Sequence, residues 1–171
     1  MSSPDEVKLI QVCDSDSLEA CRQIFREYAA SLQVDLCFQG FEAELAALPG
    51  EYAAARGGRL CLAMVGGEVA GCGALRQLAD VDHVNACEMK RLFVRKPFRR
   101  FGLGRLLAQA LLDAAREMGY SNVLLDTLDD MEAGRELYAR LGFVEVAPYY
   151  YNPIPGAHYL CANLDHAPSR F

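Results

Sequence analysis

Residues 88–105 read EMKRLFVRKPFRRFGLGR, and within this run the apolar pattern changes from that of a strand to that of a helix. The first part is apolar and has high strand propensity, whereas Pro97 lacks the backbone N–H that a sheet ladder needs. We therefore expect a strand over 88–94 that ends before the proline. The turn and the helix that follow it decide where the other elements lie.

A helix is predicted directly after this turn, over residues 103–118, with Gly119 placed to end it. Apolar residues recur there at the i, i+3, i+4, i+7 spacing of a helix with one buried face. The predicted buried stripe consists of Leu103, Leu106, Leu107, Ala110, Leu111, Ala114 and Met118.

The turn before this helix, residues 99–104, has the chemistry of an anion site. The first N–H groups of a helix have no intrahelical partner, and Gly102 and Gly104 allow a ligand to approach the backbone closely. Residues 90–105 contain seven Lys and Arg residues and no acidic residue, so this segment has a charge of +7, whereas the whole chain has a net charge of −6. The remainder of the chain therefore carries −13 (−6 − 7).

The turn resembles the signature of the GNAT superfamily of N-acetyltransferases, Arg/Gln-x-x-Gly-x-Gly/Ala, which reads Arg99-Arg-Phe-Gly-Leu-Gly104 here. Two further elements stand in the family's order. The segment 88–94 resembles the family's cofactor-binding strand, and residues 136–143, ELYARLGF, resemble its Leu-Tyr-x-x-x-Gly-Phe helix end. The likeness extends from Leu60 to Leu164.

This resemblance implies an α/β fold built on a mixed sheet, the GNAT-like acyl-CoA N-acyltransferase fold, with about seven strands, four helices and splayed central strands. The residue pattern independently predicts the two central strands of this sheet. A strand, a helix and a strand in succession predict a right-handed crossover, so that strands 88–94 and 123–127 lie side by side with helix 103–118 on one face. The length suits a single domain over residues 1–171.

A hairpin is predicted in the first half of the chain. Two strand-like runs, 60–65 and 68–75, are joined by Gly66-Gly67, a two-residue turn in which positive φ is readily adopted. We read Gly71 and Gly73 as marks of a bulge or of close backbone packing.

The remaining elements are shorter. The other predicted strands cover 7–12, 143–146 and 159–164, and the other predicted helices follow the cap residues 14–17, cover 41–48 and cover 131–141.

Composition limits the location and the chemistry. The N-terminus lacks the apolar core of a signal peptide, and no apolar run approaches the roughly 18 residues of a membrane span, so we expect a cytoplasmic protein with no membrane partner. The chain has seven cysteines, an odd number, and no Cys-x-x-Cys spacing. This argues against a zinc site and a disulfide framework, so no metal is expected.

The resemblance further implies that acetyl-CoA is the cosubstrate and binds where the two parallel strands splay apart. The pyrophosphate would accept hydrogen bonds from N–H groups of residues 100–105, and the pantetheine amides would pair with the backbone of Leu92 and Val94. The predicted cofactor-binding residues are Leu92, Phe93, Val94, Arg99, Arg100, Phe101, Gly102, Leu103, Gly104 and Arg105. The family often has an asparagine where this chain has Met131, so one side-chain hydrogen bond to the cofactor is expected to be missing.

Two catalytic residues are predicted. Tyr138 matches the family's acid tyrosine, which protonates the leaving thiolate, and its alternative is a core tyrosine on an amphipathic helix. Glu88 stands where some members carry a base, and its alternative is a simple ion pair. Strand alternation predicts that Glu88 shares one face with Lys90, Leu92 and Val94 and that this face points toward the cofactor gap.

The acceptor is expected to be a primary amine of a small molecule or peptide, which attacks the thioester directly in a ternary complex. The acidic balance of the chain is compatible with a small cationic amine. The resemblance implies that residues 35–39 help to wall the acceptor site. The tyrosine-rich loop 148–155 is read either as a ligand wall or as a stiff surface loop. The sequence is compatible with a homodimer.

Two other classes of protein share parts of this pattern. A dinucleotide-binding oxidoreductase would use Gly102-x-Gly104 with Asp126, but Leu107 occupies the third glycine position and a hairpin precedes the motif. A nucleic-acid-binding module would use the basic segment, yet the remaining −13 would repel a long polyanion, so no nucleic-acid partner is expected. A serine hydrolase is disfavoured because the chain has no Gly-x-Ser-x-Gly.

Overall fold

The computed structural model describes residues 6–32, 40–128 and 132–166. The strands are β1 (Val7–Gln11), β2 (Arg59–Val65), β3 (Glu68–Leu78), β4 (Ala86–Val94), β5 (Asn122–Leu128), β6 (Val144–Val146) and β7 (Ala157–Asn163). The α-helices are α1 (Ser15–Ser31), α2 (Phe41–Ala47), α3 (Leu103–Glu117) and α4 (Glu132–Arg140). Short 3₁₀ turns include Gly50–Tyr52, Ala54–Arg56 and Lys96–Phe101.

The seven strands form one mixed sheet in the order β1-β2-β3-β4-β5-β7-β6. Among the described strands only β4 and β5 pair in parallel, and α3 connects them, as the strand–helix–strand pattern predicts. The remaining neighbours are antiparallel. The mixed α/β fold expected from the sequence is confirmed, and each predicted strand appears within a few residues of its expected bounds.

Helices cover the sheet on both faces and create two apolar cores. One core contains the buried side of α3 together with Tyr138 and Phe143, and the other contains Ile24 and Phe25 of α1 and Leu45 of α2. None of the helices within the three described ranges is long and apolar enough to cross a bilayer.

The buried face of α3 differs from the predicted stripe. Leu106 is 44% exposed, whereas Ala108, Leu112 and Ala115 are buried. The helix is thus rotated relative to the expectation, because small alanines let it pack closely on the sheet beside Leu107 and Leu111. The prediction that Leu106 lies in the core is wrong.

The hairpin of β2 and β3 is confirmed, with Gly66 and Gly67 at its turn. A Cβ atom at Gly71 would lie 2.9 Å from the carbonyl oxygen of Phe93, and one at Gly73 would lie 2.8 Å from Leu111 Cδ1. Close packing therefore accounts for both glycines, and Gly73 also lies at a bulge, so both predicted alternatives apply.

Strand β4 contains a bulge at Arg91, whose φ is +62°. Cys72 of β3 pairs with Phe93 and Ala74 pairs with Lys90, so Gly73 alone faces two residues of β4. The extra residue shifts the alternation of side chains. Met89 and Leu92 consequently pack into the same core, and the prediction that Glu88, Lys90, Leu92 and Val94 share one face is wrong.

Candidate active site

The two parallel strands separate part-way along their length. β4 and β5 pair only from Ala86 to Glu88 on one side and from Asn122 to Leu124 on the other. Beyond Glu88 the two strands continue without pairing to each other, to Val94 and Leu128. The backbone edges that face this gap are available to an extended ligand, which can bind them as an added strand would.

The gap between the two strands forms a groove of 60 Å³. Residues Lys90 to Leu92 of β4 form one wall, Leu125 to Leu128 of β5 form the other, and Tyr138 of α4 contributes its ring. Of the predicted cofactor residues, Leu92 lines this groove. Phe93 points elsewhere, because its ring packs edge-on against Tyr28 with the centroids 5.9 Å apart.

The predicted anion turn lies at the N-terminus of α3. Gly102 caps this helix with φ of +66°, in the left-handed region that favours glycine, and it offers no side chain to the first N–H groups. The backbone N–H groups of Leu103, Gly104 and Arg105 are therefore the ones that an anion can use. The side chain of Leu103 is itself buried in the core, so only its backbone can serve a ligand.

The predicted phosphate arginines fold back on their own turn. Arg99 donates from Nε to the carbonyl oxygen of Val94 at 3.1 Å, and Arg100 donates to that of Pro97 at 2.8 Å. The guanidinium of Arg100 also stacks over the ring of Phe101, 4.5 Å from its centroid. Both side chains are exposed and lie beside the helix N-terminus, so a short rotation frees their charges for a ligand.

The basic segment divides into two groups. Lys90, Arg91 and Arg95 form ion pairs with Glu88, Glu44 and Glu27. The other four cations form no ion pair with the residues that the structure describes. These are Lys96, Arg99, Arg100 and Arg105, all in or next to the turn before α3. Four of the seven cations, rather than all seven, therefore remain as candidates for the predicted anion site.

Tyr138 is buried between the groove and the core. Its ring packs edge-on against Phe143 with centroids 5.6 Å apart, and it lines the groove. Burial, together with Tyr28 and Asp126, raises the pKa of the Tyr138 hydroxyl above its ordinary value. A tyrosine in this environment stays protonated at neutral pH, so it can serve as a proton donor but not as a base.

Glu88 lies at the point where β4 and β5 separate, and it is fully buried. Its carboxylate accepts hydrogen bonds from Arg76 Nε at 2.8 Å and from the hydroxyl of Tyr149 at 2.6 Å, and Lys90 Nζ lies 3.9 Å away. Burial alone raises the pKa of a carboxyl group, but Lys90 and Arg76 outweigh it and lower the pKa of Glu88 below its ordinary value. Glu88 is therefore ionised at neutral pH.

A second cavity, of 480 Å³, opens on the other side of Lys90. Residues of α2 and of the Gly50–Tyr52 turn form one wall, and Arg76 and Glu88 form another. Lys90 lines both this cavity and the groove, so the two spaces meet at its side chain. Burial lowers the pKa of Lys90, and Glu88 only partly offsets this effect. Residues 35–39, predicted to wall an acceptor, lie outside the described residues.

The tyrosine-rich loop closes over the separating strands. Tyr149 donates to Glu88 of β4, while Tyr150 and Asn152 donate to Asp126 of β5. Tyr150 lines the larger cavity and Asn152 lines the groove. The loop thus binds one carboxylate on each strand. Of the two alternatives from the sequence, this arrangement favours the ligand wall.

Sequence and structure comparisons agree with this geometry. The sequence model described as Acetyltransferase (GNAT) family matches residues 19–143. The chain belongs to this family. It is 33% identical to an uncharacterized N-acetyltransferase of Schizosaccharomyces pombe, over 94% of this chain and 96% of the relative. An uncharacterized N-acetyltransferase of Dictyostelium discoideum is 29% identical over 86% of this chain and 93% of its own length.

A solved structure with the same fold is that of yncA from Salmonella typhimurium, which holds its cofactor acetyl-CoA. The two chains superpose with a TM-score of 0.70 over 94% of this chain and 95% of that one, at 19% identity. The resemblance to the GNAT superfamily inferred from the turn is therefore confirmed, and this GNAT protein is an N-acetyltransferase.

Sequence reasoning missed several residues around the site of this acetyltransferase. Arg76, Tyr149 and Asp126 contact it from β3, the tyrosine-rich loop and β5, and none belongs to the GNAT motifs. Tyr149 was expected only as part of a ligand wall or surface loop, and Asp126 only in the oxidoreductase alternative. The run of three tyrosines between prolines was the one available signal. Met131, the noted departure from the family pattern, lies outside the described residues.

Proposed function

We propose that this N-acetyltransferase moves the acetyl group of acetyl-CoA to a primary amine of a small molecule or peptide, by direct attack in a ternary complex. One observation carries the proposal. A narrow groove between two separated strands meets a wider cavity at Lys90, so a thioester and an amine can approach from opposite sides.

The groove and the turn suit acetyl-CoA as the cosubstrate. The uncapped N-terminus of α3 and the four cations without ion pairs in the described chain match a pyrophosphate, whereas the unpaired edges of β4 and β5 match the amides of pantetheine. The Val94 carbonyl already accepts a hydrogen bond from Arg99, so Leu92 is the stronger candidate for the backbone pairing. Acetyl-CoA supplies the activated acyl group.

The proposed roles of the chain's own residues follow from their protonation. Tyr138 keeps its proton because of its burial and stands in the groove, so it is proposed to donate to the leaving sulfur. Glu88 is ionised and lines the cavity 3.9 Å from Lys90, so it is proposed to accept the proton of the incoming amine, directly or through a water, as a carboxylate whose lowered pKa makes it a weak base. The Tyr149 hydroxyl and Arg76 hold its carboxylate in place.

Calorimetric titration of the purified protein with acetyl-CoA tests the cosubstrate, and a screen of amines that follows release of the free thiol tests the reaction. We expect saturable binding at one site and thiol release that depends on the amine. A protein that does not bind acetyl-CoA would contradict the proposal. If the protein binds acetyl-CoA but none of the amines causes thiol release, the proposed acetyl transfer to these amines is contradicted and acetyl-CoA binding is not.

A further inference from the structure

We propose that the acceptor carries a carboxylate near its amine, as an amino acid does, and that Arg56 and Arg76 bind this carboxylate. The inference rests on the proposed acetyl transfer and narrows its acceptor. It concerns the cavity of 480 Å³, whose lining contains as many cations as carboxylates.

Every carboxylate in the described lining of this cavity is already paired. Glu44 accepts two hydrogen bonds from Arg91, at 2.9 and 3.0 Å. Glu51 and Glu88 both accept from Arg76, at 2.7 and 2.8 Å. A purely cationic acceptor, such as a polyamine, would therefore have to compete with an arginine for each of these groups.

The charge balance of the cavity points the same way. Its lining holds three carboxylates, Glu44, Glu51 and Glu88, and three cations, Arg56, Arg76 and Lys90, while Arg91 adds a fourth cation beside Glu44. The sum is +1 (4 − 3) with Lys90 charged and zero with Lys90 neutral. The cavity therefore has no net attraction for a polycation, although the whole chain has a net charge of −6. The expectation of a small cationic amine, drawn from the whole-chain charge, does not carry over to this cavity.

The two arginines are suited to a carboxylate. Arg56 ends the Ala54–Arg56 turn, is exposed, and forms no ion pair with the residues that the structure describes. Arg76 shares its guanidinium between buried Glu88 and Glu51, which is 56% exposed. A planar guanidinium matches a carboxylate in bidentate geometry, and the exposed Glu51 is the weaker of its two partners.

The position of Lys90 orients such an acceptor. Lys90 lines both the cavity and the groove, and Glu88 lines the cavity with its carboxylate 3.9 Å from Lys90 Nζ. An acceptor with its amine beside Glu88 then has Arg76, which is hydrogen-bonded to Glu88, and Arg56 in the same cavity to bind its carboxylate. The amine then faces the end of the groove from which the acetyl group would come.

Matched acceptors test this assignment. We would assay amino acids, the corresponding amino acid amides and the corresponding decarboxylated amines with acetyl-CoA, and expect kcat/KM to be about tenfold or more higher for the acids, as one charge-assisted hydrogen bond allows. Arg56→Ala should raise KM for the acids about tenfold and leave KM for the amides and for acetyl-CoA within about twofold. Arg26→Ala, an exposed arginine of α1 that lines neither space, is the control and should change none of these values.

Equal or faster turnover of the decarboxylated amines would overturn the inference while supporting acetyl transfer. An unchanged preference for acids in Arg56→Ala would remove Arg56 from the assignment. Failure of every amine to be acetylated would contradict the proposed function itself, and the inference would fall with it.

Discussion

The guanidinium of Arg91 donates two hydrogen bonds to the carboxylate of Glu44, with Nε 2.9 Å from Oε2 and Nη2 3.0 Å from Oε1. The pair joins the bulge of β4 to α2. Because α2 forms one wall of the 480 Å³ cavity and β4 borders the groove, the pair connects the two spaces structurally. Arg91 also lies over the ring of Phe41, 5.2 Å from its centroid. One buried cation therefore holds two elements of the site together.

Loss of this pair should destabilise the fold. Glu44→Ala leaves the Arg91 guanidinium, whose side chain is 2% exposed, without its carboxylate, and we expect the free energy of unfolding to fall by about 3–5 kcal/mol. Urea unfolding measures it. The control Glu19→Ala removes a carboxylate from the exposed pair with Arg22 and should cost at most about 1 kcal/mol. Equal losses in the two variants would contradict a structural role for the Arg91–Glu44 pair.

The same pair explains a limit of sequence reasoning. The position of β4 could be predicted, because a short apolar run before a proline leaves little choice. Its bulge could not, because an arginine at positive φ carries no local signal of the kind that a glycine gives. The conformation is compatible with tertiary contacts to Glu44, which lies 47 residues away, and to Phe41. The alternation of side chains along β4 was therefore predicted correctly only up to Lys90, the residue before the bulge.

The turn before α3 supplies the second prediction. Replacing Arg99 and Arg100 together by alanine should raise the Kd for acetyl-CoA about tenfold or more, because two charges beside the helix N-terminus are lost. Calorimetric titration at two salt concentrations measures it, and the gap between parent and variant should narrow at high salt.

A variant with the same net charge is the control. Lys8→Ala combined with Arg26→Ala removes two exposed cations of β1 and α1 that line neither the groove nor the larger cavity. Its Kd for acetyl-CoA should match that of the parent. If the two double variants bind acetyl-CoA equally well, the arginines of the turn have no part in phosphate binding.

Tyr138 supplies the third prediction. Tyr138→Phe keeps the ring that packs on Phe143 and loses only the hydroxyl, so kcat should fall about 10²-fold while the Kd for acetyl-CoA stays within about twofold. Tyr120→Phe is the matched control. Its hydroxyl donates to the carbonyl oxygen of Gly57 at 2.5 Å, away from the groove, so this change should lower stability by about 1 kcal/mol and spare turnover. Equal turnover of the parent and Tyr138→Phe would show that Tyr138 has a structural role in the core and no catalytic one.

The site was predictable to the extent that it lies in contiguous motifs. The turn, the helix N-terminus and Tyr138 each belong to a local pattern, and of these Tyr138 lines the groove. Arg76 and Tyr149 were not predictable, because they reach Glu88 from positions 12 and 61 residues away in the chain. Such contacts depend on the register of β3 and the path of a loop, and neither is encoded locally.

Glu88 links stability to pH, which gives the fourth prediction. Its pKa in the folded protein lies below the ordinary value of 4.5, so the ionised form stabilises the fold above that pH, and this stabilisation is lost as pH falls through the folded pKa. Glu88→Gln leaves Arg76 and Lys90 without this carboxylate. Urea unfolding should therefore show a loss of about 3–5 kcal/mol at pH 7 that diminishes in acid. A loss of the same size at every pH would contradict the linkage.

The role of Glu88 in proton transfer is the last prediction and needs activity rather than stability. If Glu88 accepts the proton of the acceptor amine, Glu88→Gln should lower kcat about 10²-fold or more near neutral pH, and the deficit should shrink as pH approaches the pKa of the amine, which then deprotonates unaided. Glu51→Gln is the comparison, because Glu51 shares the partner Arg76 but is largely exposed. Any loss that it causes should not vary with pH. A pH-independent deficit in Glu88→Gln would instead show that Glu88 acts by holding Arg76 and Lys90 in position.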